Sequence, residues 1–336
     1  MNKLTETPTR VLVGIYRLDH IGGAELYTYD LLNELRKQEN VEVEFFAVHQ
    51  GQLAERVKSE LGVQFMSRDQ YDLILATHNL TVEAIHDRGP VVQICHGAIL
   101  ELEQPSIYAD YHVGITEEVC ESLTKKGYPN ELVLNGLDIH QKYPINEVNE
   151  ELKVVLSLCQ SEEANELLAK ACSKKGVKFI HFNKFKNPTF DIEHEINRAD
   201  LVVGIGRSVY DAMACGRPCI VFDSRDYNNN KADGYLEPEL FDKFVRFNCS
   251  GRYRNLEFDE NDLVRELEKY NPGDGKKLRE ITMEKLNVEQ TAKELLATVN
   301  HIPSDANFWK NVRIFKWKFK KMRKSVKRKF KKLFKK

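Results

Sequence analysis

The sequence predicts an α/β protein of two consecutive doubly wound parallel-sheet domains that face a cleft, followed by a basic amphipathic helix. Three observations carry that expectation. Short β-branched runs alternate with helical stretches, the alternation breaks once and then restarts, and the composition changes abruptly near residue 307. A chain of 336 residues is also long for one domain when a typical domain takes about 150 residues.

The first series begins with "RVLVGIY", residues 10–16, which leads through a glycine-containing turn into "AELYTYDLLNELRKQ". It continues through "VEVEFFAV", "QLAERVKSEL", "YDLILATH", "TVEAIHDR", "VVQICHG", "DYHVGIT", "EEVCESLTKKG" and "ELVLNGLD". Strands that alternate with helices form βαβ units and a parallel sheet. A polar stretch without periodicity, near 140–151, reads as the linker. The second series runs "LKVVLSLC", "EEANELLAKACSKKG", "VKFIHF", "IEHEINRA", "DLVVGIG", "SVYDAMACG" and "PCIVFD". Residues 225–257 fit neither period well and read as a long, turn-rich loop, of a length that is usually either functional or disordered. The helical patterns from residue 260 to about 300 would close the second domain. The expected division is 1–145, 146–306 and a tail at 307–336.

Composition excludes several classes. No run approaches the roughly 18–20 apolar residues that span a bilayer, and "MNKLTETPTR" has no apolar signal core, so a cytoplasmic location is expected. Seven cysteines without a C-x-x-C pair argue against a disulfide framework or a structural zinc site. The net charge of −1 conceals an asymmetry: the tail from Asn307 carries fifteen Lys and Arg and no acid, leaving 35 basic against 51 acidic residues in the body.

The most informative stretch is "ADLVVGIGRSVYDAMACGRPCIVFD", residues 199–223. In a parallel sheet the turn after a strand faces the ligand cleft, and the helix that follows offers unpaired N–H groups and a positive dipole end. Gly204 and Gly206 permit close approach of a phosphate, Arg207 can clamp two oxygens, and Ser208 can cap the helix. Asp211 lies one turn on, where its carboxylate either accepts from sugar hydroxyls or forms an i, i+4 pair with Arg207. Spacing alone leaves both open.

This stretch resembles the nucleotide-sugar signature of family 4 glycosyltransferases, retaining enzymes of the two-Rossmann GT-B fold. "GGAELYTYDLLNEL", "VVQICHG" and "VLNGLD" resemble three further motifs of that family in the same order. "GIGR" and "NCSGR", residues 248–252, resemble a divergent subset of it. The resemblance implies an acceptor-side first domain and a donor-side second domain. It implies that Gly22 and Gly23 face the donor's diphosphate, that His96 stands beside the reacting sugar, that Arg207 holds the diphosphate, and that Asp211 holds the ribose and belongs to the catalytic set. The implied co-substrate is a nucleotide-diphosphate sugar with no metal or other cofactor, and transfer is by front-face displacement with retention.

The chain departs from the pattern in two places. Val203 stands where the family's first acid is expected, and the first turn of the second domain, "SLCQSEEANELL", supplies two glutamates where the family supplies cations. Arg207, Lys231 or Arg252 would have to replace that charge. In the tail, Phe308, Val312, Phe315, Phe319, Met322, Val326, Phe330 and Leu333 recur at steps of three and four, so one face is apolar and much of the rest is cationic. Such a helix lies in a membrane interface, with Trp309, Phe315, Trp317, Phe319 and Phe330 as anchors. At about 1 kcal/mol per basic residue near an anionic surface, a third of the fifteen would contribute roughly 5 kcal/mol. Two other readings compete: nucleic acid is the poorer partner, because a duplex-binding arm needs no apolar stripe, and the cationic tail could instead pack on the acidic body of the chain itself.

Together these readings predict a peripheral glycosyltransferase on the inner face of the cell membrane, acting on a lipid-linked or cell-surface polysaccharide or glycolipid acceptor. The competing readings are a non-catalytic partner subunit of a transferase and a sugar-nucleotide 2-epimerase.

Overall fold

The structure is a computed structural model that describes residues 8–183, 186, 189–225 and 231–333, with side chains to 320 and at 322 and 323. The first domain runs β1 (Thr9–Leu18), α1 (Gly23–Leu35), β2 (Val41–Gln50), α2 (Gln52–Leu61), β3 (Gln64–Phe65), β4 (Leu73–Thr77), α3 (Asn79–Ile85), β5 (Val91–Cys95), β6 (Tyr111–Gly114), α4 (Glu117–Lys125) and β7 (Asn130–Leu132). The second runs β8 (Val154–Ser157), α5 (Glu162–Lys175), β9 (Lys178–His181), α6 (Ile192–Ile196), β10 (Leu201–Gly204), α7 (Arg207–Ala214), β11 (Cys219–Val221), β12 (Gly234–Tyr235), α8 (Phe241–Val245), α9 (Glu260–Leu267) and α10 (Pro272–Lys285). Then follow α11 (Val288–Ala297) and the tail helix α12 (Ala306–Leu333).

Both expected sheets form. The first has seven strands in the order β3-β2-β1-β4-β5-β6-β7, all parallel. The second has five in the order β12-β11-β10-β8-β9, parallel except for the edge strand β12. Helices cover both faces, which is why β4 "LILAT" and β5 "VVQIC" are buried at every position and read as unbroken apolar runs. Chain order reverses between β1 and β4 in one sheet and between β8 and β10 in the other. Those switch points open crevices at the carboxyl ends of the strands.

Local chemistry sets the helix starts. Thr116 caps α4 by accepting from the Val119 N–H at 3.3 Å, and Ser161 caps α5 through the Ala164 N–H at 3.4 Å. Asp259 and Asp262 form a capping box on α9. The linker is tied down: the Asp200 carboxylate accepts from the N–H groups of Asn149, Lys153 and Val154. Arg217, from the Gly-x-Pro end of the signature, is only 1% exposed and donates to the carbonyls of Asn146, Ile196, Asn197 and Cys215.

The helices after residue 260 divide. α9 packs on α5 and α10 on α7, so these close the second domain as expected. α11 instead crosses back and packs on α1, and its Ala292 and Leu295 join the first domain's core. Within 225–257, the stretch read as loop holds β12 and α8, while 226–230 lie outside the described residues.

Candidate active site in the interdomain cleft

The carboxyl ends of the two sheets meet around a cavity of about 320 Å³, a size suited to a small-molecule ligand. The first domain contributes Gly22 and Gly23 from the β1–α1 turn, and His96 to Leu100 with Glu103 from the segment after β5. The second contributes Gln160 after β8, Phe182 after β9, Gly206 to Ser208 with Asp211 from the β10–α7 turn, Arg225 after β11, and Asn248, Ser250 and Arg252. Eight of the ten residues proposed from sequence for catalysis or donor binding therefore line one cavity, Gly204 and Lys231 being the two that do not.

The β10–α7 turn depends on Gly206, whose φ of 57° is left-handed. Gly206, not Ser208, is the residue before the helix; Ser208 is the second helical residue and makes no cap bond, which corrects the expected capping role. The Val209 and Tyr210 N–H groups both donate to the Gly206 carbonyl, at 3.0 and 3.3 Å, so the amides of Arg207 and Ser208 come before the ladder, where helix N-termini offer donors to an anion. "NCSGR" packs on this turn: the Gly206 N–H donates to the Cys249 carbonyl at 2.9 Å, and the Tyr210 hydroxyl to Asn248 at 3.0 Å. Gly251 has φ 85°, and a Cβ there would lie 2.0 Å from the Lys231 carbonyl oxygen. The loop that brings Arg252 to the cavity thus needs glycine.

Arg207 is 8% exposed and is held between two carboxylates, donating to Asp211 through Nε at 2.8 Å and to Asp30 through Nη2 at 2.5 Å. Burial works against its charge, but Asp211 and Asp30 outweigh burial and raise its pKa. Its Nη1 is buried and has no partner among the described residues. Asp211 therefore forms the i, i+4 ion pair of the two arrangements that spacing left open. Asp30 comes from α1 of the facing domain and is held in turn by the Asp138 N–H of "VLNGLD" at 3.3 Å.

His96 packs edge-on against Tyr27 with ring centres 5.0 Å apart, and its Nε2 is buried without a partner. Burial, then His78 and Arg207, lowers its pKa to about 3, so the ring is neutral. Glu103 follows it in the same segment, and its Oε2 occupies the space beside Gly97, 2.1 Å from where a Cβ would sit, so a side chain at 97 would displace the Glu103 carboxylate. Burial raises the Glu103 pKa to about 7 against a smaller opposing effect of Arg252.

The proposed replacement cations are arranged differently from expectation. Lys231 pairs with Glu257 and does not line the cavity. Arg252 lines the cavity but is bidentate to Glu118 of the first domain. Arg225, which sequence reasoning missed inside the presumed loop, is a third cavity arginine. Asp30 and Glu103 were also missed; an acid on an amphipathic helix or in a short turn carries no sequence signal of the cleft.

The tail is helical and docks on the first domain by one face. Lys310 pairs with Asp110 at 2.7 Å, Arg313 donates to the Ala109 carbonyl at 2.8 Å, and the Arg313 guanidinium lies 5.5 Å from the centre of the Tyr128 ring. The opposite face presents Phe308, Phe315, Phe319 and Met322, with Phe315 70% exposed. Trp309 is exposed beside that stripe and Trp317 half-buried. The side chains of Val326, Phe330 and Leu333 lie outside the described residues. No helix among the described residues is long and apolar enough to cross a membrane.

No protein-family model matches the chain, and no curated protein matches it in sequence. Solved structures do match in architecture. A putative UDP-N-acetylglucosamine 2-epimerase from Listeria monocytogenes aligns at 12% identity over 90% of this chain and 97% of that one, with a TM-score of 0.56. The glycosyltransferase of kitacinnamycin aligns at 10% identity over 89% and 100%, with a TM-score of 0.54. S. aureus MnaA in complex with UDP aligns at 12% identity over 87% and 96%, with a TM-score of 0.51. The chain has the GT-B fold, two Rossmann-like domains facing a cleft.

Proposed function

We propose that the protein is a glycosyltransferase that moves a sugar from a nucleotide-diphosphate donor to an acceptor bound in the same cleft. The observation that carries this is the β10–α7 turn: the two first amides of α7, a left-handed glycine and the unpartnered Nη1 of buried Arg207, all at the edge of a cavity that both domains complete. A diphosphate satisfies that set. In the transfer, the bond between the anomeric carbon and the diphosphate oxygen breaks with its electron pair leaving on the diphosphate. The acceptor oxygen bonds to the same face of that carbon, and its proton passes to the leaving phosphate. Neutral His96 contacts a sugar hydroxyl through Nε2.

The tail supports a peripheral attachment to an anionic membrane surface, hence a lipid-linked or cell-surface polysaccharide or glycolipid acceptor at the cytoplasmic leaflet. A hexosyl group, retention of configuration and membership of the family 4-like group are the finer parts of the same reading.

Two observations favour other readings. The fold neighbours include a putative 2-epimerase, and neutralisation of Arg207 by two aspartates suits a partner subunit without donor chemistry. One experiment separates them: the full chain is incubated with a panel of labelled nucleotide sugars, with and without membrane extract. Label transferred to the lipid-extractable fraction, only when extract is present, is the expected result. A nucleotide sugar altered at C2 without extract would replace this reading by the epimerase, and an unchanged panel by the partner subunit.

A further inference from the structure

The second domain's first turn, after β8, lacks the cations that a diphosphate needs, and the structure shows what stands there. The carboxylate of Asp223, 0% exposed, accepts from the N–H groups of Gln160 at 3.1 Å and Ser161 at 3.2 Å. The two amides that lead into α5 are thus already taken by an acid of the chain itself, and the first turn adds the negative charges of Glu162 and Glu163, which repel a second anion. A phosphate must be received elsewhere.

The same Asp223 positions Arg225. Arg225 Nε donates to Asp223 Oδ2 at 2.5 Å, its side chain is 29% exposed, and it lines the cavity. Fixing Nε on a planar guanidinium orients the edge that carries Nη1 and Nη2, and among the described residues those two nitrogens have no protein partner. The other cavity arginines offer less: Arg207 has only Nη1 left between Asp30 and Asp211, and Arg252 is bidentate to Glu118. We propose that Arg225 receives the donor's phosphate groups in place of the cations missing from the first turn, with Asp223 as the residue that positions it. A diphosphate offers the paired oxygens that a two-nitrogen edge matches. The inference rests on the nucleotide-sugar reading above and adds to it the residue that distinguishes a nucleoside diphosphate from a nucleoside.

The test is calorimetric titration of the full chain with UDP, GDP and ADP and with the corresponding nucleosides. The wild type is expected to bind at least one diphosphate. Arg225→Ala should weaken that binding about 10- to 100-fold, the range of a lost charge-assisted pair, and leave the nucleoside affinity unchanged. Arg225→Lys should fall between, since it restores charge without the fork, and Arg198→Ala, a surface charge deletion, should match the wild type. Thermal melts of each variant identify loss of fold; should Arg225→Ala melt early, Arg225→Gln, which keeps a donor for Asp223, carries the same expectation. Wild-type affinity for the diphosphate in folded Arg225→Ala or Arg225→Gln overturns the role of Arg225 while the functional reading stands. A wild type that binds no diphosphate overturns both.

Discussion

Arg207, Asp30 and Asp211 form a buried cluster with one cation and two anions, each aspartate side chain 4% exposed. Removing the cation leaves two carboxylates without their partner in low dielectric, an arrangement that costs about 3–5 kcal/mol. Arg207→Ala should therefore lower unfolding free energy by that amount in denaturant titration and also abolish donor binding; stability within 1 kcal/mol of wild type together with normal turnover would refute both roles. Glu103 gives a prediction in pH. Its folded pKa of about 7 lies above the ordinary 4.5, so the folded state holds the proton more tightly than the unfolded one. Stability is thus lost as pH rises through that window. Glu103→Gln should raise Tm relative to wild type at pH 8 and not at pH 4.5, by up to about 3 kcal/mol in stability; equal melting differences at both values would show that the carboxyl is not buried in solution. At this scale the sequence exposed Gly206, Arg207, Asp211 and His96, because turns at strand ends of a parallel sheet face the cleft by topology. It did not expose Asp30, whose partner is 177 residues away in the other domain, because pairing across domains leaves no trace in spacing, nor Arg225, which lies in a stretch without periodicity.

Helices show the same division between periodicity and partner. The heptad-like apolar spacing marks α12 as amphipathic, yet it does not say which face meets the protein. The structure answers with Lys310 and Arg313 on the docked side and Phe308, Phe315, Phe319 and Met322 opposite. α11 is the converse case, since its pattern gave a helix correctly and its packing partner, α1, belongs to the other domain. The exposed stripe makes a prediction for the element. Two phenylalanines buried in lipid contribute about 3–5 kcal/mol together, so Phe315→Glu/Phe319→Glu should remove more than nine-tenths of co-sedimentation with phosphatidylglycerol vesicles. Tm should stay within about 1 °C of wild type, since neither side chain packs on the body. Undiminished sedimentation would remove the stripe from any membrane role.

Across the molecule, the two domains are joined by arginines of the second and acids of the first. Arg246 meets Glu117 at 3.0 Å and also Glu121, Arg252 meets Glu118, and Arg207 meets Asp30. These contacts are unequal. The Arg246 pairs are 41–54% exposed, and pairs of that kind contribute about 0–1 kcal/mol and weaken further in salt. The Arg207–Asp30 pair lies in the closed floor of the cleft, where salt does not screen it. The closed arrangement should therefore depend on the floor and not on the rim. Asp30→Asn keeps the shape and the acceptor for the Asp138 N–H while removing the charge that faces Arg207, and it brings the cluster from a net −1 to neutral. In small-angle scattering the free Asp30→Asn protein should have a larger radius of gyration than wild type, and Glu117→Gln/Glu121→Gln should be indistinguishable from wild type. Adding a bound nucleoside diphosphate should return Asp30→Asn to the compact form, because the diphosphate supplies the anion that the first domain has lost. If the rim variant opens and the floor variant does not, Asp30 is not the group that holds the domains together.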